Sequence, residues 1–237
     1  MNIKLFKYFG SKAVFIKHYP KPLYPRVVEP FAGSASYSCA YPDKEVVLYD
    51  VDIEVISIIN FLIQSAPQDI LGLPLLSAGQ NVNSLNVNPE VKRLISRWCG
   101  AVPTNKLTTW GVREMLSGTK TSYWGAACRQ RLSGTVTQIK HWQVHLGPYN
   151  CIPNEEATWF VDPPYSSAKL ANIYQVSNRI NYKMLAAWCL SRKGQVIICE
   201  KEGASWLPFK VLLHNQRTTS HNTSTEVYCH IQDGRII

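Results

Sequence analysis

The chain has 237 residues, 46% of them hydrophobic, which is enough to bury one sizeable core with room for a smaller appended subdomain. Its formal net charge of +9 favours a polyanionic partner over a neutral small molecule alone. The seven cysteines lack the spacing of a zinc site. The sequence shows no signal peptide and no run of about eighteen apolar residues, which argues against secretion and a membrane span. We therefore expect a cytoplasmic protein without a membrane partner.

The amino-terminal segment Lys7-Tyr-Phe-Gly-Ser-Lys12 combines aromatic rings, a glycine and two cations within six residues. Such charge is also typical of a frayed basic tail. A tail, however, has no need of a glycine, so the segment is a candidate for ligand binding.

Two short apolar runs, Arg26–Pro30 and Glu45–Asp50, predict buried strands of the parallel type. Helix-length apolar patterns follow them at 34–41 and 53–65. The pattern is therefore that of successive strand and helix pairs.

The turn after the first of these strands is a candidate ligand loop. Gly33 and its small neighbours would let a ligand approach the backbone closely, and the amino terminus of the next helix would favour a carboxylate or phosphate. Ala35 stands where a dinucleotide-binding motif carries its second glycine, which weakens a dinucleotide interpretation. Asp50, at the end of the second strand, is placed to accept hydrogen bonds from ribose hydroxyls.

The middle of the chain, residues 66–141, is rich in small polar and basic residues with aromatic residues between them, and only Pro89–Trp98 has a clear helical pattern. We interpret it as a mainly helical insertion outside the sheet that binds nucleic acid. A helical lid or an oligomer contact is the alternative. The predicted DNA contacts are Lys7, Arg113, Lys120, Tyr123, Trp124, Arg129 and Arg131.

Further strands are predicted at Trp142–Leu146, Ala157–Val161, Gln195–Cys199, Lys210–Leu213 and Thr225–Ile231. Strands that alternate with helices predict an α/β protein with a doubly wound, mostly parallel sheet. Ligands of such sheets bind outside the carboxyl ends of the strands.

A helix is predicted after Asn181, which is a suitable amino-terminal cap, and Gly194 lies beyond its end. One face of this helix carries Ile180, Met184 and Trp188. Glu200 and Lys201, at the end of the following strand, are a potential pocket pair, but a solvated strand end is the favoured interpretation.

The segment Asp162-Pro163-Pro164-Tyr165 follows a buried strand and is the most informative feature of the sequence. Two successive prolines restrict the backbone, so the loop presents an acid and an aromatic ring at a fixed separation. A carboxylate and the Pro163 carbonyl could accept hydrogen bonds from an NH2 group while Tyr165 stacks on the ring that carries it. A capped turn with a surface tyrosine is the alternative.

Taken together and in this order, the motifs LysTyrPheGlySerLys, GluProPheAlaGlySer, LeuTyrAspValAsp and AspProProTyr resemble those of the Dam-type DNA adenine-N6 methyltransferases of the α class. The resemblance covers nearly the whole chain and is weakest across 66–141. It implies a Rossmann-like methyltransferase fold, with 1–65 and 142–237 as the S-adenosylmethionine-dependent catalytic domain and 66–141 as the target-recognition subdomain.

The resemblance also implies roles for particular residues. Those that would contact S-adenosylmethionine are Tyr8, Gly10, Lys12, Glu29, Pro30, Phe31, Ala32, Gly33, Ser34, Asp50, Tyr149 and Asp162. Asp162-Pro163-Pro164-Tyr165 would bind the target adenine, extruded from the duplex, for direct in-line methyl transfer. Pro148 stands where these enzymes often carry an acidic residue.

Alternative functions remain open at this point. Methylation of cytosine N4 or of an RNA base would use the same chemistry, and a catalytically inactive DNA-binding module could keep the same fold. A nucleotide-dependent oxidoreductase is disfavoured by the poor glycine pattern. Double-stranded DNA is the expected partner, and a cognate restriction endonuclease would accompany a restriction–modification enzyme. The recognition sequence and the oligomeric state are left open.

Overall fold

The computed structural model describes residues 3–77, 80–99, 123–166, 180–216 and 223–237. Within these ranges the strands are β1 (Arg26–Glu29), β2 (Glu45–Asp50), β3 (Gln143–Leu146), β4 (Ala157–Val161), β5 (Gly194–Lys201), β6 (Lys210–Gln216), β7 (Thr223–Gln232) and β8 (Arg235–Ile236). The helices are α1 (Ile53–Gln64), α2 (Pro67–Leu71), α3 (Pro89–Cys99), α4 (Ala126–Val136) and α5 (Tyr182–Leu190).

The strands form one sheet in the order β3-β2-β1-β4-β5-β7-β6, with β8 beside β7. Strands β1 to β5 are mutually parallel, whereas β7 is antiparallel to both β5 and β6. The prediction of an α/β protein with a mostly parallel sheet is therefore confirmed.

Side chains alternate between two faces of the sheet, and the central strands are buried on both. One face packs Trp159 and Val196 against α5. On the other face, Val46 packs in one core with α1, α3 and α4, and Phe160 lies in a neighbouring cluster. Helices thus cover both sides of the sheet.

Local caps explain where two of the helices begin. The Asp52 side chain accepts a hydrogen bond from the Glu54 backbone N–H at the start of α1, and Asn181 accepts from the Met184 N–H at the start of α5, as the sequence predicts. The predicted apolar face of α5 is wrong at Met184, which is 61% exposed. The face that packs against the sheet is centred on its buried residues, Leu185 and Cys189.

The helix predicted at 34–41 does not form. Gly33 and Ala35 have positive φ angles of 47° and 51°, which a right-handed helix does not allow. The chain instead makes a tight turn and a single 3₁₀ turn at Ser38–Ala40.

The described part of 66–141 contributes α2, α3 and α4 and none of the strands of the sheet. These helices are not packed separately from the rest of the chain, because Leu94, Trp98 and Leu132 share one hydrophobic core with Ile59 of α1. A separate target-recognition subdomain in this region stays a prediction.

Candidate functional site

The candidate site lies where the winding of the sheet changes direction. Strands β1 and β4 are hydrogen-bonded neighbours, with Val28 opposite Trp159, although 127 residues lie between the end of β1 and the start of β4 in sequence. From β1 the chain adds strands on one side, and from β4 it adds them on the other. The loops that follow these two strands therefore emerge side by side at the carboxyl edge of the sheet, which is the usual ligand site of such folds.

A buried ion pair connects the amino-terminal motif to the loop after β4. The ammonium of Lys12 lies 2.8 Å from Asp162 Oδ1, and it also donates to the Gly10 carbonyl at 3.1 Å. Lys12 is 2% exposed. Burial alone would lower the pKa of Lys12, yet the Asp162 carboxylate holds it well above the ordinary lysine value. The lysine therefore stays charged beside the candidate catalytic acid.

The same ammonium also contacts the aromatic ring of the motif, lying 4.6 Å from the centre of Tyr165. Burial raises the pKa of Asp162, and the charge on Lys12 opposes that rise. The Lys12 side chain thus positions both the Asp162 carboxylate and the Tyr165 ring.

Two tyrosine hydroxyls brace the loop after β4. Tyr165 donates a hydrogen bond to Glu226 Oε2 on β7 at 2.7 Å, and Tyr182 at the start of α5 donates to the Pro164 carbonyl at 2.5 Å. Since the prolines already restrict the backbone, these contacts fix the direction in which the Tyr165 ring points.

Glu200 supplies a third brace and corrects the sequence interpretation. It is fully buried rather than solvated, and its Oε1 accepts from the Ser166 backbone N–H at 2.9 Å and from the Trp206 indole at 3.0 Å. Its second oxygen accepts from the backbone N–H of Lys201. The signal in the sequence was the uninterrupted apolar run that precedes Glu200, which places it inside the sheet.

Glu29 holds the turn after β1 from within. It is 2% exposed and accepts a hydrogen bond from the Ser38 N–H at 2.7 Å. Burial raises the pKa of this carboxyl to about 8. One Glu29 oxygen is thus used inside the protein, so the expected cofactor contact of Glu29 gains no support from this geometry.

Asp50, at the end of β2, is anchored to the same turn. Its Oδ2 accepts from the Gly33 N–H and its Oδ1 from the Asp52 N–H, each at 2.9 Å. Burial raises the pKa of Asp50, and these backbone hydrogen bonds counteract the rise. A carboxylate has further lone pairs, so Asp50 keeps the capacity to accept from a hydroxyl of a ligand.

A side chain of the protein itself, the ring of Tyr8, lies close to Gly33. A Cβ at this position would lie 2.9 Å from a ring carbon of Tyr8. The Arg97 guanidinium in turn lies 5.2 Å from the centre of the Tyr8 ring. The Tyr8 ring therefore fills the space beside Gly33 in which a Cβ would lie, and the approach of a ligand to this backbone stays a prediction.

An aromatic pair stands at the same edge of the sheet. The rings of Phe31 and Tyr149, both partly buried, have centroids 5.6 Å apart. Tyr149 begins a short 3₁₀ turn after β3, which Pro148 precedes. Other predicted cofactor residues of the turn after β1 are buried within it: Pro30, Ala32 and Ser34.

The predicted DNA contacts differ in where the structure places them. Trp124 is fully buried, and its indole donates to the Pro74 carbonyl at 2.8 Å, so its assignment to a DNA surface is wrong. Lys7 lies 3.4 Å from the centre of the Tyr123 ring, and burial, followed by the charge of Lys4, lowers the pKa of Lys7 to about 8. Two further predicted contacts lie outside the described residues: Arg113 and Lys120.

Two arginines predicted to bind DNA are engaged within the protein. The Arg129 guanidinium donates to the carbonyl of Leu71 at 2.9 Å. Arg131 donates to the carbonyl of Lys4 at 3.2 Å and lies 4.6 Å from the centre of the Trp98 ring. These contacts tie α4 to α2 and to the amino-terminal segment, so both arginines have a structural role that the sequence did not reveal.

The described residues contain no group of three or more side chains that could hold a metal ion.

None of the described helices combines the length and apolar character that a membrane crossing requires.

Comparison with known proteins gives little guidance. No family model and no curated protein matches the sequence. A solved structure described as a conserved hypothetical protein of Streptococcus pyogenes is similar to this chain with a TM-score of 0.36 and 13% identity, over 92% of this chain and 93% of the other. A similarity this low carries no argument about function.

Proposed function

We propose that this protein transfers a methyl group from S-adenosylmethionine to the N6 amino group of an adenine that is extruded from double-stranded DNA. The observation that carries the proposal is the braced loop Asp162–Tyr165, which lies beside the turn after β1 at the switch point of the sheet. Such an edge is where doubly wound folds bind their ligands. The Rossmann-like methyltransferase fold is part of this proposal.

The residues at the edge fit the cofactor in part. Asp50 keeps acceptor capacity for a ribose hydroxyl, and Phe31 and Tyr149 offer aromatic surface for an adenine ring. S-adenosylmethionine would supply an electrophilic methyl group on a sulfonium.

The protein's own contribution is alignment. Lys12 occupies Asp162 Oδ1, and we assign Oδ2 to the amino group of the target base. The Pro163 carbonyl accepts the second hydrogen of that group, and the Tyr165 ring stacks on the base. Together these contacts aim the nitrogen lone pair, and Asp162 need not act as a strong base because the proton can leave after transfer.

The proposal is tested by transfer of a labelled methyl group to unmethylated DNA. Asp162→Asn keeps the shape of the side chain but removes the charge that accepts from the amino group. We expect the transfer rate to fall at least about a hundredfold. The matched control is Asp43→Asn, an exposed acid in the turn before β2, which should keep the wild-type rate.

Base analysis of the labelled product separates the candidate functions. Label in adenine supports the proposal, whereas label in cytosine points to the N4 alternative. A parallel assay with RNA would reveal an RNA enzyme if only the RNA became labelled. Transfer by Asp162→Asn at the wild-type rate would contradict the role of Asp162. A protein that binds DNA and transfers nothing would be the inactive module.

A further inference from the structure

We propose that a basic cavity next to the candidate site binds the sugar–phosphate backbone of the DNA strand that carries the target base. This inference deepens the proposed function, and it rests on the DNA substrate of that function. We call it the amino-terminal cavity, because residues 3–21 form most of its wall.

The shape of the amino-terminal cavity suits a ligand larger than a single phosphate. Its volume is about 910 Å³, at the upper end of the range for ligand pockets. It lies between the amino-terminal segment and the residues that follow β1. Hydroxyl groups of Ser34, Ser36 and Tyr41 also line it, and those of the two serines lie 3.2 Å apart.

The charge of the cavity wall has one sign. Four cations line it: Lys4, Lys17, Lys21 and Arg131. No aspartate or glutamate is among the lining residues. A cavity lined by one sign of charge focuses the electrostatic field and attracts a polyanion.

Two of these cations, Lys4 and Arg131, lie over the Trp98 ring but have no acidic partner among the described residues. The ion pairs among the described residues include neither Lys4 nor Arg131. Burial, followed by the charge of Arg131, lowers the pKa of Lys4. In the described part of the chain, Arg131 Nε is buried and has no hydrogen-bond partner. A phosphate group in the cavity would relieve the repulsion between these two cations.

A hydrogen bond and an ion pair connect the amino-terminal cavity to the candidate site. Ser36 Oγ, on the cavity wall, lies 2.7 Å from Ser11 Oγ. The next residue is Lys12, whose ammonium binds Asp162. An extruded base stays attached to its strand, so the phosphates that flank it must pass close to the pocket that holds it. The amino-terminal cavity, with four cations in its wall, offers these phosphates a basic surface.

The test replaces the exposed cations of the cavity, since Lys4 and Arg131 also support the fold. The variant Lys17→Ala/Lys21→Ala removes two positive charges from the cavity wall. The control Lys183→Ala/Lys193→Ala removes two exposed charges near α5. Fluorescence anisotropy with a labelled DNA duplex gives the dissociation constant at several salt concentrations, and thermal unfolding confirms that both variants are folded.

We expect the cavity variant to bind the duplex at least about tenfold more weakly. Its slope of log K against log salt should be shallower by about 1.8, the value for two lost phosphate contacts. The control variant should keep the wild-type slope. Equal losses in both variants, or no loss in either, would overturn the proposal.

Further probes distinguish the sources of phosphate. If pyrophosphate or inorganic phosphate stabilises the wild type through Lys17 and Lys21 while duplex binding does not depend on them, the cavity takes a small anion and the proposal is wrong. The same conclusion follows if only single-stranded RNA binding depends on these lysines.

The outcome is independent of methyl transfer. Duplex binding that depends on Lys17 and Lys21, without transfer to DNA, would leave the cavity assignment standing and overturn the proposed function. Transfer to DNA with duplex binding equal in the cavity variant and its control would do the reverse.

Discussion

The Tyr165 hydroxyl is the contact by which the sheet fixes the ring proposed to stack on the target base. Its acceptor is the Glu226 carboxylate, at 2.7 Å. Hydrogen bonds to charged groups are each worth about 1.5–3 kcal/mol. The orientation of the Tyr165 ring therefore depends largely on this hydrogen bond.

Replacing Tyr165 by phenylalanine tests this role. Tyr165→Phe keeps the stacking ring and removes the bond to Glu226, so we expect methyl transfer to slow about tenfold to a hundredfold. The control is Tyr24→Phe, which removes a hydroxyl bonded to Gln232, away from the candidate site. Single-turnover rates measure the effect, and equal rates for wild type and Tyr165→Phe would show that the brace is dispensable.

The buried Glu29 carboxyl predicts a dependence of stability on pH. Its pKa is raised from 4.5 to about 8 in the folded protein. The folded protein therefore binds this proton more tightly than the unfolded chain does, so the contribution is fully present below about pH 4.5 and is lost as the pH rises to about 8.

Glu29→Gln isolates this contribution, because the amide oxygen can still accept from the Ser38 N–H. We expect the variant to gain stability relative to wild type by about 1.4 kcal/mol for each pH unit between these limits, and to keep a constant difference above them. Urea unfolding across this pH range gives the free energies. A difference that does not change with pH would mean that Glu29 is ionised throughout.

At the scale of elements, the turn after β1 depends on its left-handed glycine. Gly33 has a φ of 47°, and a Cβ there would lie 2.9 Å from the Tyr8 ring. We expect Gly33→Ala to lower the free energy of unfolding by at least about 1 kcal/mol, because both the backbone and the ring must yield. Denaturant unfolding measures the loss.

The control for this substitution changes a glycine with ordinary geometry. Gly134 lies within α4, and a Cβ there would meet no atom within 4 Å. Gly134→Ala should therefore raise stability by about 0.5–1 kcal/mol. If both substitutions had the same sign, the strain assigned to Gly33 would be absent.

Strands were easier to predict than turns at this scale. The apolar run Ala157–Val161 forms a strand with the predicted bounds, because a strand buried on both faces needs only continuous apolar residues. The turn at 34–41 has an apolar pattern of helical length, but two positive φ angles within three residues prevent a helix. Backbone angles of this kind depend on contacts made by distant segments such as the one with Tyr8.

The burial of Trp124 could have been predicted from spacing. Cys128, Leu132 and Val136 follow it at intervals of four residues, which is the spacing of one helical face, and all four side chains are fully buried. The basic composition around Trp124 concealed this pattern. Aromatic residues among cations therefore indicate a nucleic-acid surface only when they do not continue an apolar stripe.

At the scale of the whole molecule, the order of the strands brings the site together. The sequence predicted that the loops after β1 and β4 lie on one edge, because parallel strands share their carboxyl ends. It did not predict the braces from Glu200 and Glu226, since the pairing of β5 with β7 joins segments whose contact no local pattern encodes. The motif Asp162–Tyr165 could thus be recognised in the sequence, whereas the hydrogen bonds that support it could be recognised only in the folded structure.

The central claim is that the braced loop Asp162–Tyr165 positions an adenine of DNA for methylation. Analysis of the nucleosides in the DNA of an expressing host tests this claim most directly. DNA from cells that express the wild type should contain N6-methyldeoxyadenosine, measured by mass spectrometry, above the level in cells without the protein. Cells that express Asp162→Asn at the same level should show no increase. An equal increase with the variant, or no increase with a folded wild type, would contradict the account.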